Sequence, residues 1–162
     1  MSIVGAGPQV SRRAERPPLL WAGGTVFDVV LGGEATGGGV ALLDQEGVHG
    51  DVTPLHLHRH EAEIFYVLDG EVTAWVGEDR HRLGVGDAVH LPAGQPHALG
   101  VHSQRARILT VTAPAGFAAF VRAAGMPVDG DRPATWSFDV ERIMAAAPAH
   151  DIEILGPPPT LA

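Results

Sequence analysis

Between Thr53 and Gly70 the chain reads TPLHLHRHEAEIFYVLDG, which places three histidines and two glutamates within eight residues, just ahead of an apolar run. His56 and His58 stand two apart. On a strand, where side chains alternate, both imidazoles point to the same side with Cα atoms about 7 Å apart, a spacing suited to chelation. Alone, HLHRHE reads better as a solvated polar edge than as a metal site. Glu63, however, opens the next strand on its apolar face, and a carboxylate there is costly unless a cation or proton offsets it. A further histidine, His97, enters a strand after the Gly-Pro-rich turn of GDAVHLPAGQPHALGV at 86–101. His97 is thus a fourth candidate beside His56, His58 and Glu63.

Absences narrow the chemistry further. The 162-residue chain has no Cys, Lys or Asn, so all eleven basic residues are Arg. Thiolate nucleophiles, thiolate metal sites, Schiff-base lysines and phosphate-loop lysines are excluded. None of the four serines (Ser2, Ser11, Ser103, Ser137) sits in a GxSxG elbow, which argues against acyl-serine hydrolysis. A formal net charge of −8 disfavours nucleic-acid or anionic-membrane partners, which demand a basic face. No apolar run approaches the length of a membrane span, and MSIVGAGPQVSRRAERPP lacks a secretory apolar core. A small-molecule partner and a cytoplasmic location are therefore expected.

The elements that must position these residues are short. Gly and Pro together make up 34 residues, and with Asp they punctuate nearly every gap. Residues 1–18 read as a polar arm, and 19–159 as one domain. Strands are expected at 25–31, 40–44, 54–58, 63–68, 71–76, 87–91, 97–101 and 107–112. Helices are expected at 117–124 and 139–147, the second with Asp139 as N-cap. Many short strands with helices near the end predict an all-β sandwich or small barrel.

Asp69-Gly70 between two apolar runs predicts a two-residue hairpin turn. That turn would set Val67 opposite Val72, Phe65 opposite Ala74 and Ile64 opposite Trp75. One face then carries Glu63, Phe65, Val67, Val72, Ala74 and Val76. The other carries Ile64, Tyr66, Leu68, Thr73 and Trp75, an apolar cluster that needs cover from the arm around Leu19–Trp21 or from a second subunit. A homodimer is the favoured expectation.

Two spacings point to a family. Residues 50–70 read G, five residues, HxH, four residues, E, six residues, G; residues 86–97 read G, five residues, PxG, two residues, H. Both patterns resemble the cupin motifs, except that Val101 stands where the second motif closes with Asn. Together with YVLDGEVTAWVG, HLPAGQPHAL, the ARILTVTAPAGFAAFVRAAGMP run and DIEILGPPP, they make the chain similar to small single-domain bacterial cupins related to quercetin 2,3-dioxygenase, over residues 20–159. That resemblance implies a jelly-roll barrel holding one divalent metal through His56, His58, Glu63 and His97; three imidazoles and one carboxylate suit a borderline transition metal, whether Fe, Ni, Mn, Co, Cu or Zn, and donor type does not separate these. It also implies a dioxygenase that acts on a flavonol-like or other enolic aromatic compound with dioxygen. Glu63 would serve as proton acceptor. Phe65, Val67, Val72, Ala74 and Val76 would give a dry wall, with Phe117, Phe120 and Met126 from the C-terminal segment at the mouth. A redox-neutral cyclase or isomerase of a polyketide-type pathway, and a cupin that only binds a ligand, are the alternatives. His60 reads as solvated or outer-sphere, His90 as packed, His49, His81, His102 and His150 as surface residues, and Arg105 and Arg107 as a solvated edge.

Overall fold

A computed structural model of the chain describes residues 7–128 and 140–161. Asp139, the expected cap, and the first six residues of the arm lie outside the described residues. Twelve strands are formed among those described: β1 (Leu19–Leu20), β2 (Val26–Leu31), β3 (Ala41–Val48), β4 (Leu55–His58), β5 (Ala62–Asp69), β6 (Val72–Val76), β7 (Asp79–Leu83), β8 (Ala88–Leu91), β9 (His97–Val101), β10 (Arg105–Ala113), β11 (Met126–Pro127) and β12 (Ile152–Gly156). The helices are α1 (Gly33–Thr36), α2 (Gly116–Ala124) and α3 (Val140–Ala146). The strands make two antiparallel sheets, ordered β11-β1-β2-β3-β10-β5-β8 and β12-β4-β9-β6-β7. This is the expected all-β jelly-roll barrel with short helices.

Every expected strand is present, and β1, β7, β11 and β12 are additions. β7 reads DRHRL with no apolar alternation, and it forms as an exposed edge whose one ladder partner is β6. Edge strands need no buried face, so hydrophobic pattern cannot reveal them. α2 buries Phe117, Ala118, Phe120, Val121 and Ala124, a stripe at helical spacing. These residues join Trp21, Phe27 and Leu43 in one core cluster. A second cluster centres on Phe65, Val67, Val72, Ala74 and Ile108. The arm is fastened at its end, where the Arg16 guanidinium donates to both oxygens of buried Asp28 at 2.7 and 2.8 Å.

The expected hairpin does not form. β5 pairs with β10 and β8 in one sheet, whereas β6 pairs with β9 and β7 in the other. Asp69-Gly70 therefore carries the chain from sheet to sheet. Gly70 has φ 75°, and a Cβ there would lie 2.9 Å from Ala106 Cα, so the crossing requires glycine. The inward parity survives, because alternation belongs to each strand separately: Glu63, Phe65, Val67, Val72 and Ala74 are all buried. The outer cluster divides instead. Ile64 and Tyr66 lie outside one sheet, and Trp75 outside the other. Trp75 is covered by its own chain, with the Arg80 guanidinium 5.8 Å over the ring. Both Trp75 and Leu161 close over Gly100.

Candidate metal centre

The site is assembled across the barrel. His56 and His58 alternate along β4, and His56 stands directly opposite His97 of β9 in the same sheet. Glu63 reaches them from β5 in the facing sheet. One donor atom from each of the four lies within 4.8 Å of the others. His97 Nε2 is 3.1 Å from Glu63 Oε2, and His58 Nε2 is 3.5 Å from the same oxygen.

Every imidazole is held by its other nitrogen. His56 Nδ1 faces the Pro54 carbonyl at 2.7 Å, His97 Nδ1 the Gln95 carbonyl at 2.8 Å, and His58 Nδ1 the Glu61 carboxylate at 3.0 Å. Acceptors at all three positions place the hydrogen on Nδ1, which turns the Nε2 lone pairs toward the common centre. Lone pairs converging on a buried carboxylate require a cation or protons between them. His58 Nε2 is buried without a hydrogen-bond partner among the described residues. The donor set and the orphaned nitrogen together fit a divalent metal held by His56, His58, Glu63 and His97.

The charges are strongly coupled. Burial lowers the His56 pKa to about 3, helped by the neighbouring His97 and His58, so this ring is neutral at physiological pH. Burial also works against charge on His58, but Glu63 and Glu61 outweigh it and the net shift is upward. Burial would raise the Glu63 pKa; the surrounding imidazoles outweigh that, and its carboxylate is held below the ordinary range.

Glu61 was not singled out by the motif, yet it is buried and acts on both sides of the site. One oxygen receives His58 Nδ1–H, and the other receives the Phe117 backbone N–H at 2.9 Å, at the start of α2. The first turn of a helix favours a carboxylate. A Cβ on Gly116 would sit 3.2 Å from Glu61 Oε2, so glycine permits this approach. The sequence signal available was the i,i+3 spacing from His58.

A cavity opens beside the cluster, and His56 and Glu63 line it. Trp21, Phe27, Phe65, Phe117 and Phe120 form its aromatic wall, with edge-on contacts such as Trp21–Phe27 at 5.4 Å and Trp21–Phe120 at 5.3 Å. Of the expected pocket residues, Phe65, Phe117 and Phe120 line this space. Val67, Val72, Ala74 and Val76 do not; they point inward but pack in or against the second cluster. Met126 is 38% exposed on β11 and is not among the lining residues. Trp21 and Phe27 were missed because the segment after the arm carries no motif. Val101, at the position of the motif's Asn, also lines the cavity.

The remaining candidates point elsewhere. The His60 side chain is 74% exposed, 4.0 Å from Asp151. His90 is exposed opposite Ile64 rather than packed, because β8 ends the sheet. Arg105 pairs with Glu46 at 2.9 Å and Arg107 with Asp44 at 3.0 Å, on exposed strand positions.

Comparison with known proteins agrees with this geometry. Residues 46–112 match the family model of the cupin domain. Over 157 residues, 94% of the chain, the sequence is 31% identical to quercetin 2,3-dioxygenase from Bacillus subtilis; the chain spans about half of that protein, 46% of its length. KdgF from Halomonas sp. superposes with a TM-score of 0.60 at 18% identity, over 66% of this chain and 94% of that one. A predicted oxalate decarboxylase from Thermotoga maritima gives 0.60 at 22% identity, over 65% and 99%. At such identities the structural likeness concerns the fold. No helix among the described residues is long and apolar enough to cross a membrane.

Two outcomes are expected. His56→Ala should remove most bound metal in elemental analysis, whereas His60→Ala should leave it nearly intact; equal loss would mean that the ligands are misassigned. Zinc titrations should show affinity rising with pH through and above 6.5, with proton uptake by the buffer. His58 is biased toward its protonated form in the metal-free fold and must shed that proton to ligate. An affinity flat from pH 6 to 8 would refute this coupling.

Proposed function

This chain is a small cupin resembling the quercetin 2,3-dioxygenase-like cupins, and from that premise we propose that it is a metal-dependent dioxygenase of a flavonol-like or other enolic aromatic compound. The observation that carries the reading is the convergence of four donors on the wall of an aromatic cavity that only His56 and Glu63, among them, line. A divalent metal at that convergence would supply a Lewis-acidic position where an ionised enol and dioxygen can be brought together.

The chain's own groups do the rest. Glu63 is the one carboxylate of the four and faces the cavity, so it accepts the proton of the incoming hydroxyl. His58 and His97, both 2% exposed, stand behind it and hold its charge. Glu61 fixes the His58 ring and, through the Phe117 amide, the helix that closes the aromatic wall. Phe27, Phe65, Phe117 and Phe120 bind a flat ring system edge and face, and keep water from the reacting atoms.

Pairing of two chains belongs to the same proposal. On β5 the outward Ile64 and Tyr66 are 38% and 41% exposed, and they lie beside Val111 and Leu109 of β10. A contiguous apolar strip on a sheet's outer face suits a two-fold contact.

Purified protein loaded in turn with each candidate metal should consume oxygen with quercetin. Conversion of substrate without oxygen uptake would replace the dioxygenase with a redox-neutral cyclase or isomerase. Glu63→Gln keeps an oxygen donor but loses the proton acceptor, so turnover should fall about 10²- to 10⁴-fold while part of the metal remains. Near-full turnover would remove Glu63 from the proton transfer. For the assembly, Ile64→Glu with Tyr66→Glu should halve the mass in solution, and Trp75→Glu should not. A wild type that is monomeric at tens of micromolar would refute the pairing.

A further inference from the structure

The far wall of the cavity carries an amide with nothing to bond. Gln45 lies on β3 with the inward parity of Ala41 and Leu43, and it is 8% exposed. Its neighbours across the ladders are Phe27 of β2 and Ile108 of β10, and all three line the cavity. Its side-chain amide has no hydrogen-bond partner among the described residues, nor is it sealed from the cavity space. The other polar side chains that line the cavity on this side are engaged. Thr25 donates to Asp51 at 3.2 Å, Asp51 also receives the Val48 N–H at 3.1 Å, and Thr53 receives the Leu99 N–H at 3.0 Å. A buried amide surrounded by apolar side chains is unfavourable unless something bonds to it.

Its position relative to the metal centre follows from the registers. Glu63 is level with Thr112 on β10, and Thr112 with Ala41 on β3. Gln45 stands four residues beyond Ala41, about 13 Å along the strand and about 10 Å across two strand spacings. Apart from the engaged Thr25, Asp51 and Thr53, the described lining is polar at two separated places, His56 with Glu63 at one and Gln45 at the other, with aromatic and aliphatic side chains between. Among the described residues no Arg lines it, and the chain has no Lys.

We propose that Gln45 is a substrate subsite, binding a neutral hydroxyl or carbonyl oxygen at the end of an elongated, mostly apolar molecule whose other end lies at His56 and Glu63. A primary amide donates and accepts, so it serves either group. Asp51 in the same wall, with no cation among the described lining residues, selects against a carboxylate or phosphate at that end. The subsite deepens the proposed function and rests on it for the orientation of the substrate. It makes the substrate class an aromatic oxygenated at both ends rather than at the reacting end alone.

The test compares 3-hydroxyflavone, whose outer rings carry no hydroxyl, with quercetin, whose outer rings do. Dissociation constants are measured by calorimetry for wild type, Gln45→Leu and Gln45→Glu, with oxygen uptake recorded in parallel. Wild type should prefer quercetin by about tenfold, the worth of one net hydrogen bond. Gln45→Leu, similar in volume, should abolish that preference while leaving 3-hydroxyflavone binding unchanged or tighter, and Gln45→Glu should retain part of it. Thermal unfolding adds a readout independent of ligand: Gln45→Leu should match or exceed the wild-type midpoint. A lowered midpoint would show that the amide is bonded within the fold, and would overturn the subsite. Equal weakening of both flavonols, or an unchanged preference, would overturn it as well. A Gln45-dependent preference without oxygen uptake would leave the subsite standing and remove the dioxygenase reading. Oxygen uptake with no role for Gln45 would do the reverse, and failure of both flavonols to bind would overturn both.

Discussion

One carboxylate among three imidazoles, taken out of water, is the constraint on which the rest of this barrel depends. Glu63, His58 and His97 are each 2% exposed. An isolated carboxylate at that depth would be protonated, and isolated imidazoles would be neutral. Together they reverse part of that tendency. Glu63 is held below the ordinary carboxylate range, and His58 is pushed above the ordinary imidazole range, because each compensates the other's loss of solvent. The cluster therefore has one net cationic demand that protons or a metal can satisfy. The backbone carbonyls of Pro54 and Gln95 keep two rings from turning away from it.

That demand also explains why the two sheets and α2 form one unit with the site. The histidines come from one sheet and the glutamate from the other, so sheet closure and donor convergence are the same event. Glu61 extends the coupling outward, tying the His58 ring to the first turn of α2. A helix of nine residues has little stability alone. Its apolar stripe and this carboxylate cap hold it, and its Phe117 and Phe120 complete the aromatic wall that the donors face.

Outside the barrel the electrostatics serve a different purpose. Arg59–Glu153, Arg82–Glu71, Arg105–Glu46, Arg107–Asp44 and Arg122–Glu34 are exposed pairs that bridge neighbouring strands or helices. Each is worth little, and together they occupy the exposed edges with charge rather than apolar surface. The buried Asp28, held by Arg16, is the exception, and it fastens the arm next to the Phe27 side of the cavity. Among the described residues the buried polar side chains are thus Asp28, the site's His58, His97, Glu61 and Glu63, Gln45 and the threonines Thr73, Thr110 and Thr112, amid apolar side chains.

What the sequence determined by itself is local in origin. Alternation along each strand settled which side of β4 carries His56 and His58, and which side of β5 carries Glu63 and Phe65, whatever those strands pair with. The motif spacings brought His97 to the same cluster, and turn residues marked most strand ends. What only the tertiary structure decided is non-local. The Asp69-Gly70 turn reads as a hairpin from its own residues, but both ladder sides of β5 are taken by β10 and β8, so the chain crosses to the other sheet. Val67, Val72, Ala74 and Val76 kept their inward direction yet fell beside the second cluster, because position along a closed barrel depends on shear and not on parity. Trp21, Phe27, Glu61 and Gln45 reached the site from segments without a motif, since burial beside a cavity is a property of what packs around a residue rather than of the residue and its neighbours in sequence.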